Sequence, residues 1–512
     1  MIPRYYKALP YYFNKNYKRI YYFCIRYTNE KNRMTQESQF HKSLNLFDST
    51  AIVAGSMIGS GIFIVSADIA RQVGSPGWLM VVWIITGLLT TFAALSYGEL
   101  AGMFPKAGGQ YVYLKEAYNP LVGFLYGWTL FMVIQTGTIA AVGMAFAKYI
   151  GVLIPSISES VCWLSIGFVK FGPVQIVAIL CIVFLTWLNT RGIKEGKNVQ
   201  NIFTSGKFIF LILFIFIGLA IASNWEALHQ NKHILWDPVQ VKDGKLIPLS
   251  GITLITALGM AMVGSLFSSD AWNNITFTAG EVINPKKNIP LSLFLGTLSV
   301  TILYLLANVA YLAILPLRGH PEGATIAERG IQFATNDRLG TAAMANVFGN
   351  YAVIIMALFI VVSTFGCNNG LILAGARVYY AMAKDKLFFK KTGNLNKNGV
   401  PANGLIIQCV WACLLCLSGT YNQLLDYVVF AVLIFYVLTI AGVFILRKTV
   451  PDMERPYKAF GYPFIPAFYI LFASIIMIIL LICKTEYTLP GLLIVLLGIP
   501  VYFFGLKRKT IN

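Results

Sequence analysis

The chain has 512 residues, of which 57% are apolar and 12% charged, about half the charged share of an average soluble domain. Apolar runs of spanning length recur along almost all of it, which excludes a water-soluble globular protein and predicts a polytopic membrane protein. The formal net charge of +19 invites a nucleic-acid reading, but the basic residues gather in tails and loops on one side of the predicted topology, which excludes it.

Residues 1–45 form a basic, tyrosine-rich tail without the short apolar core and small-residue cleavage site of a signal peptide. Met34 reads as an alternative start that would leave residues 1–33 untranslated; the other reading is a basic, aromatic segment at the cytoplasmic membrane surface. Either way the tail is expected to be poorly ordered. Twelve spans are predicted near 46–70, 78–103, 120–149, 172–189, 201–222, 252–280, 290–316, 348–381, 403–420, 423–446, 464–483 and 487–506. An even number puts both termini on one side, and 28 of the 40 basic residues lie there, so both termini are expected in the cytoplasm. The chain thus divides into spans one to five (46–222), an external loop (223–251), spans six to ten (252–446), and a last pair with the C-terminus (447–512). The last pair reads as peripheral. The membrane is expected to be a plasma membrane, specifically a bacterial inner membrane, because no organelle or glycan-handling feature stands out.

The first span contains Gly55-Ser56-Met57-Ile58-Gly59-Ser60-Gly61-Ile62-Phe63. Interior glycine costs a helix roughly 1 kcal/mol against alanine. Freed backbone groups in hydrocarbon are tolerated only where protein or a polar cavity takes them up. A second break, Gly264-Ser265-Leu266-Phe267-Ser268-Ser269-Asp270, lies 209 residues on. Paired interruptions in corresponding halves point to the binding site of a secondary transporter. Gly55-x3-Gly59 alone would read as a helix-packing seam; the serines and Asp270 favour a site, since a carboxylate at membrane depth is functional by default.

Other features read as structural. Glu99, at the end of span two, is expected to be merely interfacial, with pairing to a basic loop residue as the alternative. Arg377 has Glu281 as its expected partner, because unpaired charge at depth is costly. Cys413-x-x-Cys416 reads as buried, inert thiols, and His229-x3-His233 as part of a solvated external loop without a third ligand. Loops 223–251 and 317–347 are expected to carry short helices over the outer vestibule. No phosphate loop or nucleophile–base set is present in the sequence, so neither an enzyme nor a cofactor or metal site is expected.

These motifs resemble the amino acid–polyamine–organocation transporters, in their L-type amino acid transporter branch. The first-span glycine run matches that superfamily's first-helix signature. Phe267 with Asp270, Trp272 and Asn273, then Gly280-Glu281-x-x-Asn284-Pro285, resembles the branch's sixth helix, and Gln200 to Lys207 its fifth. The resemblance covers about residues 44–506. It implies an all-α membrane protein of 12 transmembrane helices: a 5+5 inverted-repeat (LeuT-like) core with helices 1 and 6 broken, plus two peripheral helices. It implies that N–H groups near Gly59, Ser60 and Gly61 bind a substrate carboxylate, flanked by Ile58 and Ile62. Carbonyls near Met57 and Phe267 would receive the ammonium group, and Phe267 would gate the site. This chain departs from the family pattern at Ser268-Ser269-Asp270, which would make the pocket more polar than in carriers of large neutral side chains, and Asn273 is also expected to line it. Lys207 would stand where sodium-coupled cousins bind their ion, joining the first helix near Ser56 to Cys367 and Asn368; snorkelling to the interface is the alternative. Cys162 lies roughly where animal members attach a glycoprotein partner, and as a lone cysteine reads as incidental.

The sequence therefore predicts a sodium-independent secondary transporter of amino acids, working by alternating access through exchange or proton-coupled uptake. The alternatives are an amino acid-sensing receptor and a polyamine or amine transporter. The expected partners are an amino acid and the bilayer, with a homo-oligomer left open and no nucleic acid.

Overall fold

The computed structural model describes residue 40 and residues 42–506, except 159–160, 167–168, 243–244 and 419–420. The basic, aromatic tail up to residue 39 lies outside the described residues.

The first span is two helices, α1 (Leu46–Met57) and α2 (Val65–Val73), separated by extended backbone at Ile58 and a single 3-10 turn at Gly61–Phe63. A reciprocal capping box starts α1: Asn45 Oδ1 accepts from Asp48 N at 2.9 Å and Asp48 Oδ2 from Asn45 N at 3.0 Å. Next come α3 (Pro76–Met103), the short α4 (Gln110–Ala117), and the long α5 (Pro120–Leu153), which contains a π-turn at Leu130–Ile134. A two-stranded hairpin, β1 (Leu164–Ile166) with β2 (Val169–Phe171), leads to α6 (Pro173–Arg191) and α7 (Ile193–Phe216). Four helices of this fold open on proline at the first helical position, where the missing N–H costs nothing: Pro76, Pro120, Pro173 and Pro285.

The external loop holds α8 (Trp225–His233) and a second hairpin, β3 (Val239–Lys242) with β4 (Lys245–Pro248). Then follow α9 (Gly251–Ser268), the single-turn α10 (Asn274–Phe277), and α11 (Pro285–Ile314). The loop after α11 carries α12 (Leu339–Phe348), so both long loops do form short helices. The remainder is α13 (Asn350–Lys384), α14 (Ala402–Cys416), α15 (Tyr421–Thr449), α16 (Phe464–Cys483) and α17 (Thr485–Pro500). Ten helices among the described residues are long and apolar enough to cross a bilayer. The ninth and twelfth predicted spans appear as shorter apolar helices, Ala402–Cys416 and Thr488–Phe504.

The outer faces of α3, α6, α7 and α16 expose Leu88, Leu180, Ile209, Phe216 and Ile482. In water such a continuous apolar surface would drive association; in lipid it is the solvent-exposed side. Inside, α3 lies along α11, α5 along α13, and α1 between α7 and α11. The last two helices pack on the outside, α16 against α15, α3 and α9, and α17 against α15 and α5.

Two buried carboxylates inside this frame, Glu281 and Glu99, are paired with arginines. Arg377 and Glu281, each 1% exposed, meet at 3.1 Å, as the sequence predicts. Glu99 corrects the interfacial reading: its side chain is 1% exposed and accepts from Arg447 at 2.9 and 2.6 Å and from Ala459 N at 2.7 Å, with Arg455 at 3.3 Å. Burial behind the segment after α15 makes the ion pair necessary, because an unpaired carboxylate there would cost several kcal/mol. The chain just before α1 is tied to the second half. Ser43 N and Leu44 N both donate to Glu281 O, at 2.9 and 3.0 Å, and Ile283 N donates to Leu44 O at 2.8 Å. Removing one partner of a buried pair leaves the other uncompensated, so Arg377→Ala is expected to destabilise the protein by about 3–5 kcal/mol. Thermal unfolding in detergent checks this, and an unchanged midpoint contradicts it.

Candidate functional site

The break between α1 and α2 exposes the last carbonyls of α1, which a helix cannot satisfy by itself. Four neighbouring side chains cover them. Lys207 of α7, fully buried, donates from Nζ to Gly55 O at 2.9 Å and to Ile58 O at 2.7 Å. Cys367 Sγ of α13 reaches Ser56 O at 3.0 Å. Tyr304 OH of α11 reaches Met57 O at 3.0 Å, and Ser363 Oγ of α13 lies 3.4 and 3.3 Å from Ile58 O and Gly59 O. An ammonium pointing at two helix-terminal carbonyls is placed where the partial negative charge of a helix end is greatest. This geometry excludes snorkelling for Lys207. Room for its stem comes from Gly366 of α13, where an added Cβ would stand 3.3 Å from Lys207 Cε.

The other predicted members of that link are arranged differently. Lys207 reaches α1 and not the amides of α13. Asn368 is fully buried, with neither of its amide atoms paired among the described residues. Its Nδ2 instead faces α5, 3.6 Å from where a Cβ on Gly143 would be. Ser56 Oγ is likewise unpaired, and lies against Gly370 of α13.

The second break follows α9. Ser269 ends the helix, and Asp270 N donates to Phe267 O at 3.1 Å. Ala271 then takes φ 63°, a left-handed conformation that disfavours any side chain and is most often kept where a site needs it. The two breaks touch. A Cβ on Gly61 would overlap Ser268 Oγ, and Tyr304 OH, besides Met57 O, lies 3.3 Å from Ser268 O. The glycine spacing thus serves packing as well: Gly55 faces Thr204 and Gln200 of α7, and a Cβ on Gly59 would stand 3.2 Å from Cys367 Sγ.

Asp270 is half-buried and accepts from Tyr436 OH of α15 at 2.6 Å. Asn273 Nδ2 donates to Gln110 Oε1 at 2.9 Å, and Gln110 Nε2 donates to Thr439 at 3.0 Å, so the second break is fixed to α4 and α15. A small cavity beside Asp270 and Tyr436 is lined by the polar Gln110, Gln135, Thr138, Asn273 and Asn274 and by the apolar Leu130, Ile134 and Phe277. A second, more apolar cavity also borders Asp270 and Tyr436, with Leu266, Val429, Trp272 and Tyr469. Trp272, beside the carboxylate, packs edge-on to Tyr97 at 4.8 Å between ring centres.

Tyr304, Ser363, Gln110 and Tyr436 had no signal in the sequence. Each lies in an otherwise apolar or turn segment, and only tertiary packing brings it to a broken helix. Gln110 came nearest, since it follows the glycine pair at 108–109.

An amino acid permease family model matches residues 44–503. Large neutral amino acids transporter small subunit 2 of Oryctolagus cuniculus is 30% identical over 480 residues, covering 92% of this chain and 82% of the relative. The b(0,+)-type amino acid transporter 1 of Homo sapiens is 28% identical over 497 residues, 94% and 92% of the two chains. The Asc-type amino acid transporter 1 of Mus musculus is 26% identical over 477 residues, 92% and 82%. These relatives are transporters and not enzymes. The words "small subunit" describe a member of an assembly with an unlike chain, which is not in line with the homo-oligomer left open by the sequence. With broken helices meeting inside ten apolar spans and a family match over nearly the whole described region, the chain is an integral membrane protein that belongs to the amino acid permease family.

Proposed function

We propose that the protein carries amino acids across the membrane by alternating access, without sodium, on a core of two inverted five-helix repeats. One observation carries the sodium-independent part: the Lys207 ammonium sits on Gly55 O and Ile58 O, supplying at the break a fixed positive charge. The pairing of α3 with α11 and of α5 with α13 is in line with repeats related by a two-fold axis, and ten spans plus two shorter apolar helices are in line with twelve crossings. The basic loops support cytoplasmic termini.

In this reading the N–H groups of Gly59, Ser60 and Gly61 receive the substrate carboxylate, since the start of a helical turn presents backbone N–H groups and partial positive charge to an anion. Ile58 and Ile62 flank it. The carbonyls of Met57 and Phe267 receive the ammonium group; Met57 O accepts from Tyr304 OH and keeps a second lone pair, while Phe267 O, already reached by Ser269 N and Asp270 N, would exchange one of these for the substrate. Phe267 covers the site. Exchange and proton-coupled uptake both fit this arrangement. Uptake of radiolabelled amino acid into proteoliposomes, with and without internal amino acid, tests the reading: accumulation identifies a carrier, its dependence on internal substrate identifies exchange, and binding without uptake identifies a receptor.

The polar lining around Asp270 supports a preference for polar or cationic side chains. Competition of uptake by a panel of amino acids should change rank order in Asp270→Gly, with cationic competitors losing about tenfold relative to aliphatic ones, the worth of one ionic hydrogen bond of about 1.5 kcal/mol. Equal weakening of every competitor would make Asp270 structural.

A further inference from the structure

The loop helix α8 carries a pair of side chains that the transport site does not use. His229 and His233 are one helical turn apart and both exposed, and their Nε2 atoms stand 3.3 Å from each other. The rings cross edge-on at 74°, 4.4 Å between centres, and a small outward swing of the two exposed side chains would aim both nitrogens at one ion. Zinc–imidazole bonds are about 2.0–2.1 Å, and two of them at the tetrahedral angle hold their nitrogens about 3.3 Å apart. The same separation suits a ring-to-ring hydrogen bond, and a metal ion entering there would take its place, with both rings neutral and carrying their N–H on Nδ1. Among the described residues no third histidine, cysteine or carboxylate joins the pair, so water would complete the coordination. Two imidazoles and water select borderline dications such as zinc, copper or nickel, and leave calcium and magnesium, which need oxygen ligands, unbound.

The opposite face of α8 ties the two halves of the molecule together. Asn231 is buried; its Nδ2 donates to Leu312 O and Leu315 O at 2.8 and 3.0 Å, and its Oδ1 accepts from Leu317 N at 2.7 Å, all at the end of α11. Just past α8, Leu235 O accepts from Gly77 N at 2.8 Å and from Ser75 Oγ at 2.6 Å, at the start of α3. Trp236 packs edge-on to Trp78 there, 5.8 Å between ring centres. A metal ion clamping residues 229 and 233 would stiffen the last turn of this connection.

We propose that His229 and His233 form a two-histidine site for a borderline transition-metal dication, and that filling it slows transport by rigidifying the link between α11 and α3. The binding part stands on the geometry alone; the effect on rate rests on the transport reading. Zinc is titrated calorimetrically into the purified full-length protein in detergent at pH 7.5. The expected result is one site, weakened at least tenfold in His229→Gln and in His233→Gln and unchanged in His320→Gln. Both variants change exposed side chains, and size-exclusion profiles verify their folding. No binding by the parent, or equal binding by the double variant, overturns the site. In proteoliposomes, saturating zinc at the loop's face is expected to slow uptake at least twofold, reversibly with chelator and not in the double variant. Binding in detergent with unchanged uptake overturns the effect on rate, whereas a parent without any uptake in metal-free buffer refutes the transport reading and leaves the titration valid.

Discussion

Lys207→Ala is expected to cut the rate of transport by roughly ten- to a hundredfold while the protein still inserts and elutes as one species. The variant leaves Gly55 O and Ile58 O at a break inside the membrane without their charged donor. An unmet buried acceptor costs about 1–3 kcal/mol, and each 1.36 kcal/mol placed on the barrier is a factor of ten in rate. The loss should fall on translocation more than on substrate affinity, because Lys207 touches the helix that must move and not the proposed carboxylate position. Lys207→Met separates charge from bulk: it keeps most of the stem beside Gly366 and removes the ammonium. If the methionine variant works as well as the parent, the ammonium has no role in the cycle.

Gly61→Val is expected to reduce amino acid binding by at least a hundredfold. A side chain at Gly61 meets Ser268 Oγ and Cβ directly, with the Ser268 Cα 3.1 Å away, so the two broken helices would have to separate. The β-branch also restricts φ where the backbone offers its N–H groups. Equilibrium binding of labelled amino acid to the detergent-solubilised variant measures this, and binding equal to the parent's would remove Gly61 from the site. Gly61→Ala combined with Ser268→Gly adds a finer comparison: the overlap is relieved, and binding should return at least in part.

The sequence made some of this legible because breaks in hydrocarbon have few innocent causes. The glycines and serines at 55–61 located the first interruption, with non-helical backbone at Ile58, whereas the run at 264–270 is helical up to Ser268 and the second interruption falls at its end, with Ala271 left-handed. Arg377 and Glu281 were paired from depth and cost alone. Glu99 was misjudged because its partners Arg447 and Arg455 are about 350 residues away, and only folding of the segment after α15 buries it. Lys207 was recognised as a problem of depth, but its acceptors are backbone carbonyls, which leave no mark in composition; the expected contact with Asn368 is not made. The shortfall at the ninth predicted span has a similar origin: hydropathy sees an apolar run of sufficient length, whereas the regular α-helix stops at Cys416.

Initial-rate uptake of labelled amino acid by proteoliposomes, in matched buffers containing sodium or choline, tests the central claim most directly. If Lys207 supplies the positive charge at the α1 break, the parent's rate is the same in both buffers and Lys207→Ala is slow in both. Uptake by the parent that requires sodium would contradict the account.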